Sequence, residues 1–177
     1  MTQATQHPRG ERLYPSRSAR AYWHLVSLRC EIEAVIAEYI ASQGHSLLVD
    51  YGCGNMPYRP LLEPHLRSYL GCDLPGNDLA DCIVESPPTL PLESDSANIV
   101  LSSQVLEHVP GPSECLAEAF RVLKPRGYLV LSTHGVWKYH PDPIDYWRWT
   151  SADLAVTPDV RDADASVYLL VGRKQST

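Results

Sequence analysis

The stretch Leu47–Gly54 constrains the fold of this chain more than any other segment. Its first three residues are apolar and indicate a short buried strand, which ends at Asp50. The turn that follows reads Gly-Cys-Gly, and glycine permits both a sharp bend and the close approach of a ligand because it has no Cβ. Pro57 suits the first turn of a following helix. Strand, glycine turn and helix are typical of the start of a nucleotide-binding βαβ unit, although such a turn can also be purely structural.

The residues of this turn narrow the class of ligand. A dinucleotide fingerprint needs glycine at the sixth position of G-x-G-x-x-G, and Pro57 stands there instead. No Gly-Lys-Ser/Thr sequence follows, which excludes a P-loop. Asp50 would repel a phosphate and attract an amino group. The turn therefore favours a nucleoside without phosphates, and a nucleotide-dependent oxidoreductase is the weaker alternative.

A second predicted strand, residues 67–73, also ends in an acid. Asp73 follows Asp50 at close to the roughly 20-residue interval at which an acidic side chain reaches ribose hydroxyls. Further strands are predicted near residues 81–84, 99–102 and 128–132, and helices over 18–42, 58–66 and 112–123. This alternation of strand and helix predicts a parallel sheet with right-handed crossovers.

Five short motifs follow one another along the chain: Val49–Gly54, Gly71–Asp73, Leu90–Leu92, Val105–Val109 and Arg121–Gly127. In this order they resemble the class I S-adenosylmethionine-dependent methyltransferases, and most of all the broad small-molecule group of that family. The resemblance covers roughly residues 45 to 154. It implies an α/β fold with a doubly wound, Rossmann-like sheet, S-adenosylmethionine as cofactor and a small-molecule methyl acceptor as partner.

The end of the chain departs from the family pattern. After Leu154 the family usually continues with a helix, a strand and a loop before a final antiparallel strand. Only about a dozen residues separate Leu154 from the apolar run that begins at Val167, and this is too short for typical elements of roughly 11 and 5 residues. Either the protein lacks these elements, which predicts a shortened C-terminal part of the sheet, or the sequence omits a segment. A binding module that has lost turnover with these elements is the non-catalytic alternative.

The resemblance implies a cofactor site at the ends of the first four strands. Its predicted members are Asp50, Gly52, Cys53, Gly54, Asp73, Leu74, Glu85 and Gln104. Asp73 would accept hydrogen bonds from the ribose hydroxyls, and Gln104 would face the methionine end. Glu85 or Asp81 would contact the adenine amino group, or one of them simply caps a strand end. Met56 stands where the family commonly has a third glycine.

Histidines are the candidates for chemistry on the acceptor, because a histidine can remove a proton near neutral pH. His108 and His140 are the predicted catalytic residues, which makes oxygen the preferred acceptor atom. His108 lies in a family motif where the histidine often packs beside the cofactor without acting as a base, so that role stays open.

The aromatic stretch over residues 137–150 is predicted to form the acceptor pocket. The predicted substrate-binding residues are His134, Trp137, His140, Asp145, Tyr146 and Arg148. A packed, proline-rigid loop is the alternative. A metal ion held by His134, His140, Asp142 and Asp145 is a further alternative, but the spacing matches no usual ligand pattern and no metal is predicted.

Length and composition bear on the number of domains, on nucleic-acid binding, on the state of the cysteines and on location. The 177 residues fit one domain, predicted over residues 18–177 behind a flexible polar tail at residues 1–17, which alternatively forms a lid over the cofactor. A net charge of −6 argues against nonspecific nucleic-acid binding. The five cysteines form no CxxC pair and fit reduced thiols. With neither a signal peptide nor a membrane span recognised, a cytoplasmic protein is expected, and its oligomeric state is left open.

Overall fold

The computed structural model describes residues 9–39, 46–135, 137–140, 144–154, 160–161 and 167–175. Its helices are α1 (Arg9–Leu13), α2 (Tyr22–Tyr39), α3 (Arg59–Leu62), α4 (Pro112–Val122) and α5 (Ser151–Leu154). Its strands are β1 (Leu47–Tyr51), β2 (Ser68–Asp73), β3 (Cys82–Ile83), β4 (Ala97–Ser103), β5 (Leu123–His134), β6 (Val160–Arg161) and β7 (Val167–Arg173). Short 3₁₀ turns cover Glu63–His65 and Leu106–His108.

The strands form one sheet in the order β3-β2-β1-β4-β5-β7-β6. Strand β1 pairs in parallel with both β2 and β4, while β5 pairs antiparallel with β7. The strand order reverses between β1 and β4, and this reversal is the topological switch point of an open α/β sheet. Ligands bind beyond the carboxyl ends of the strands at such a point. The predicted doubly wound, Rossmann-like sheet is confirmed.

Each face of the sheet is covered by its own apolar cluster, because successive side chains of a strand point to opposite faces. Leu48 belongs to the cluster that includes Ile32 of α2, and Val49 belongs to the cluster that includes Ala119 of α4. The continuous apolar runs of the central strands follow from this burial on both sides. Among the described residues, no helix combines the length and the apolar character needed to cross a membrane.

The amino-terminal region differs from the flexible tail predicted over residues 1–17. From Arg9 the structure has helix α1, and the Leu13 side chain is only 3% exposed. The Arg29 guanidinium donates a hydrogen bond to the Leu13 carbonyl oxygen at 2.9 Å and joins α1 to α2. A single buried leucine produces no apolar periodicity, so the sequence carried no helical signal here. Residues 1–8 lie outside the described residues, and the domain boundary at residue 18 stays a prediction.

The C-terminal part of the sheet is short, as predicted. Helix α5 has four residues, and β6 has two residues that pair antiparallel with β7. The final antiparallel strand that the resemblance implied is β7, which pairs with β5 from Tyr128 to His134. Residues 155–159 and 162–166 lie outside the described part of the chain.

Candidate functional site

A cleft of about 630 Å³ opens at the carboxyl ends of β1, β2 and β4. This volume is in the range of small-molecule sites, which are roughly 300–1,000 Å³. The structure brings seven of the eight predicted cofactor residues to its wall: Asp50, Gly52, Cys53, Gly54, Asp73, Leu74 and Gln104. They meet there because parallel strands end at the same edge of the sheet.

The two glycines of the turn after β1 have different surroundings. Gly52 has φ +79°, and a Cβ added to it would lie 2.5 Å from Cγ2 of Val105. Gly54 has φ +52°, and no heavy atom of the described residues lies within 4 Å of where its Cβ would be. Protein packing therefore requires the first glycine, whereas the second leaves open space at the wall of the cleft.

Met56, which replaces the third glycine of the family pattern, is accommodated by a glycine elsewhere. Its φ is +49° and its side chain is 2% exposed. A Cβ on Gly71 of β2 would lie 2.5 Å from the Met56 sulfur. The missing side chain on β2 thus makes room for Met56 beneath the turn, and the departure from the pattern leaves the turn intact.

Asp50 is buried at the end of β1, with 3% of its surface exposed. One carboxylate oxygen accepts a hydrogen bond from the Tyr69 hydroxyl. Burial raises the pKa of Asp50 to about 7; the Tyr69 hydrogen bond opposes this, and the negative charge of Asp73 adds to it. Near neutral pH this group can therefore take or lose a proton, and a cationic ligand would favour its ionised form.

Asp73 at the end of β2 is held by three donors. Its Oδ2 accepts from the Gly54 backbone N–H at 2.9 Å and from Asn77 Nδ2 at 2.6 Å, and its Oδ1 accepts from the Leu74 N–H at 2.8 Å. Asn77 also donates to the Gly54 carbonyl oxygen at 2.7 Å. Asn77 thus ties the two strand ends together, a role that sequence reasoning missed. Asn77 follows a glycine in a turn, and this Gly-Asn sequence was the one feature that could have indicated the role of Asn77.

Gln104 follows β4 with φ +59°. Its N–H donates to the Ser132 carbonyl oxygen at 2.9 Å, and its Nε2 donates to the Ser132 hydroxyl at 3.2 Å. Its side-chain Oε1 is buried and has no hydrogen-bond partner among the described residues. Because buried polar atoms are normally paired, this acceptor is a candidate to bind a ligand.

Arg12 is a member of the cleft wall that sequence reasoning did not find. Helix α1 brings it there, and it is the one arginine among the described residues of the wall. Together with burial, which acts more strongly, its charge lowers the pKa of the neighbouring His24 to about 4. A cation among the acids of the wall suits a ligand that carries both an amino group and a carboxylate.

Neither acid proposed for the adenine contact faces the cleft. Glu85 is exposed and is absent from the described wall, where Val84 and Pro87 stand instead. Asp81 accepts from Arg59 at 2.9 Å and from the Gly71 N–H at 2.8 Å, so its carboxylate serves the packing of β2. A two-residue β3 ends at Ile83, and Glu85 lies beyond it in a loop that turns to solvent.

The predicted acceptor residues gather beside the cleft without lining it. His108, His134 and His140 surround Glu107, and His24 stacks on His134 with the ring centres 5.5 Å apart. We refer to these five residues as the histidine cluster. The His134 ring lies 4.9 Å from His140 and 5.2 Å from the parallel Trp137 ring. His108 lies 4.9 Å from His140 and also belongs to the cleft wall. His108 therefore joins the two sites.

Glu107 is the centre of this cluster and is 0% exposed. Its Oε2 accepts from the Thr133 hydroxyl at 2.9 Å, while its Oε1 has no hydrogen-bond partner among the described residues. That oxygen lies 3.4 Å from His134 Nε2 and 4.0 Å from His108 Nε2. Burial raises the pKa of Glu107. Burial, followed by the neighbouring His140 and His24, lowers the pKa of His134 to about 3, so this imidazole is neutral at pH 7.

The aromatic loop, of which the structure describes residues 137–140 and 144–150, packs on the cluster through its own backbone. The N–H groups of Tyr146 and Trp147 both point to the Glu107 carbonyl oxygen, at 2.8 and 3.3 Å. The Asp145 side chain is fully buried, and its hydrogen bonds with Arg148 hold the pKa of Asp145 well below its usual range. Tyr146 is 48% exposed. Such contacts are those expected of the packed-loop alternative. Asp142, a residue of the metal alternative, lies outside the described residues.

The sheet order, the glycine turn after β1 and the acid at the end of β2 are features of the Rossmann-like fold of class I S-adenosylmethionine-dependent methyltransferases. Residues 49–131 match a family model described as a methyltransferase domain.

Individual relatives agree with this class. The chain is 32% identical over 114 residues to an uncharacterized methyltransferase of Mycobacterium ulcerans, covering 56% of this chain and 44% of that one. It is 27% identical over 135 residues to a probable S-adenosylmethionine-dependent methyltransferase of Mycolicibacterium smegmatis, covering 70% and 50%. The chain thus spans about half the length of these relatives.

A solved structure shows the same fold. The Burkholderia thailandensis 1,6-didemethyltoxoflavin-N1-methyltransferase, with 1,6-didemethyltoxoflavin and S-adenosylhomocysteine bound, superimposes with a TM-score of 0.66. The two proteins are 16% identical, and the match covers 95% of this chain and 87% of the other. The resemblance drawn from the sequence motifs is confirmed.

Proposed function

We propose that this protein binds S-adenosylmethionine in the cleft and uses it to methylate a small molecule. The observation that carries the proposal is the arrangement of Asp73, Gly54 and Asn77 at the switch point. It supplies a fixed carboxylate for ribose hydroxyls beside a turn with open space for a ligand. The pattern of free cysteines supports a cytoplasmic location as part of the same proposal.

The rest of the cleft wall suits the other parts of this cofactor. Asp50 and the unpaired Oε1 of Gln104 would accept from the ligand's amino group, and Arg12 would pair with its carboxylate. Leu74 and Val84 supply apolar surface for the adenine ring. In this assignment Glu85 has no contact with the cofactor.

When bound, S-adenosylmethionine supplies an electrophilic methyl group on a sulfonium, whose in-line displacement needs little covalent help. The protein residues orient donor and acceptor and exclude water, and such positioning can supply roughly 7–11 kcal/mol. We assign to His108 the removal of a proton from the methyl acceptor. Its Nδ1 donates to the Ile144 carbonyl oxygen at 2.9 Å, which leaves the lone pair of Nε2 free. We therefore favour an oxygen acceptor.

The loop residues predicted to bind substrate would act on the acceptor from beyond His108. His140 contacts the His108 ring, and Trp137 stacks on His134 behind it. In this proposal Asp145 and Arg148 position the loop, and Tyr146, which is half exposed, is the member with a free surface for the acceptor.

Calorimetry with S-adenosylmethionine, S-adenosylhomocysteine and NAD tests the cofactor assignment. We expect both sulfur compounds to bind and NAD not to bind; binding of NAD alone would overturn the proposal. Transfer of a labelled methyl group into a metabolite extract tests turnover and identifies the acceptor. Cofactor binding without any transfer would support the non-catalytic module. The His108→Ala variant should lower kcat with little change in cofactor affinity.

A further inference from the structure

The histidine cluster brings together three side chains with the chemistry of metal ligands. Glu107, His134 and His140 each offer one ligand atom, and all three atoms lie within 4.8 Å of one another. They come from the turn after β4, the end of β5 and the aromatic loop. Glu107 is 0% exposed and His134 is 5% exposed, so this is an interior cluster and not a group of surface acids.

The central carboxylate has one oxygen that nothing else satisfies. Glu107 Oε1 is buried and forms no hydrogen bond within the described residues, although His134 Nε2 lies only 3.4 Å away. Leaving a buried acceptor unpaired is costly, and such atoms call for an explanation. In a tetrahedral site with bonds of about 2.0–2.2 Å, neighbouring ligand atoms are about 3.4 Å apart. The separation of these two atoms therefore fits a shared ion.

Outer hydrogen bonds orient two of the three proposed ligands, His140 and Glu107, as a metal site requires. His140 Nδ1 lies 3.1 Å from the Asp145 carboxylate, which Arg148 holds in turn, so Nδ1 donates and Nε2 keeps a free lone pair. Thr133 donates to the other oxygen of Glu107 at 2.9 Å. Metal-binding histidines typically donate their second ring nitrogen to a carboxylate or a carbonyl in this way.

We propose that Glu107, His134 and His140 bind one divalent transition-metal ion of the Zn²⁺ type. Two imidazoles and one carboxylate suit Zn²⁺ or Co²⁺ better than Mg²⁺ or Ca²⁺, which prefer oxygen ligands alone. Three protein ligands leave a further position open. His108, which lines the cleft, has its Nε2 4.0 Å from Glu107 Oε1. Because the ligand atoms lie up to 4.8 Å apart, binding the ion requires them to move closer together, and the half-buried His140 has the most exposed position of the three.

This site differs from the metal alternative considered for the sequence. Asp145 orients His140 and is bound by Arg148, so it is an outer partner, and Asp142 lies outside the described residues. Glu107 takes the carboxylate position. The proposal goes beyond the methyltransferase activity and holds whether or not that activity is found.

Metal binding to the full-length, untagged chain tests the proposal directly. Protein freed of metal by a chelator is dialysed against Zn²⁺, and bound metal is counted by atomic absorption. Co²⁺ serves as an optical probe, because its visible spectrum reports tetrahedral coordination. We expect one ion per chain and a rise in the thermal midpoint on adding Zn²⁺. The His140→Ala and Glu107→Gln variants should bind at least about tenfold more weakly.

The matched control is His65→Ala, which removes an exposed histidine in the turn Glu63–His65 and should bind Zn²⁺ like the wild type. If Glu107→Gln does not fold, His140→Ala decides, since His140 is half-buried on a loop. A wild type that binds no stoichiometric Zn²⁺ or Co²⁺ would overturn the proposal, as would a folded His140→Ala with unchanged affinity. Displacement of Co²⁺ by excess Mg²⁺ would overturn the choice of metal class. None of these readouts depends on methyl transfer.

Discussion

The cofactor cleft and the histidine cluster share His108 but are built in opposite ways. In the cleft, Asp73 at the end of β2 is held by Leu74 and Asn77, one and four residues on, and by Gly54 in the turn after β1. In the cluster, Glu107 is held by Thr133, 26 residues on, and by the backbone of the aromatic loop. The cleft leaves polar atoms available to a ligand, whereas the cluster directs most of its polar atoms toward one another.

This difference indicates which residues act on a ligand and which hold the site in shape. A polar atom of the cleft such as Gln104 Oε1, which has no protein partner among the described residues, should contribute to ligand binding more than to stability. A residue of the cluster has protein partners that become unpaired when it is removed, so its loss destabilises the fold.

The largest expected effect is on stability, from Arg148→Ala in the aromatic loop that packs on the histidine cluster. It leaves the fully buried carboxylate of Asp145 without its cation, which costs about 3–5 kcal/mol. Urea unfolding measures the loss. The control is Glu33→Ala, which breaks the partly exposed pair with Arg29 and should cost about 0.5 kcal/mol or less. Equal stability of Arg148→Ala and wild type would mean that the loop does not bury Asp145, and the contrast between the two sites would fail.

The next largest effect is the difference in stability between alanine variants of the two glycines in the turn after β1. Gly52→Ala brings a Cβ to 2.5 Å from Val105 in addition to the strain of a positive φ, and should cost about 3 kcal/mol. Gly54→Ala meets open space and should cost about 1 kcal/mol, from backbone strain alone. Thermal unfolding of the two variants gives the difference. The reverse order would show that the turn is packed differently from the structure.

A smaller effect concerns cofactor affinity. Asp73→Ala should weaken S-adenosylmethionine binding by about 1–3 kcal/mol, because it leaves ligand donors unpaired. Asn77→Ala should weaken it less, since the two backbone donors still hold Asp73. Glu85→Ala, whose side chain is exposed, is the control and should bind like the wild type. Calorimetry on folded variants decides, and unchanged affinity in Asp73→Ala would remove the ribose assignment.

The contrast also explains how far the sequence could predict the structure. Strand order and the Asp50–Asp73 pair follow from local motifs, since each strand carries its own acid at its end. The central position of the buried Glu107 could not be predicted, because nothing nearby in the sequence shows that residues 144–150 will fold across it. The same holds for Arg12, which reaches the cleft through one short helix without apolar periodicity. Glu85 lies outside the described cleft wall, and strand β3 is too short for the sequence to predict where its end points.

The last prediction concerns pH and sharpens the difference between the ionisable groups of the two sites. Because burial raises the pKa of Asp50 to about 7, the folded protein holds a proton there that the unfolded chain, with the ordinary pKa of 3.8, has released. The contribution of Asp50 to the free energy of unfolding is therefore fully present below about pH 4 and is lost as the pH rises toward 7. A cationic amino group in the cleft reverses the preference, because it stabilises the ionised carboxylate.

Cofactor affinity should accordingly rise with pH up to about 7, by at most about tenfold per unit, while the stability of the free protein falls. His24 and His134 do not contribute, since their pKa values of about 4 and about 3 lie below this range. Calorimetry between about pH 5.5 and 7.5 measures the affinity and stays below the titration of the ligand's own amino group, at about 7.7–8.0. Asp50→Asn should flatten both curves while leaving the folded structure in place. Affinity that falls with pH in the wild type would show that Asp50 does not face the amino group, and Arg12 would then carry the recognition of that end of the ligand.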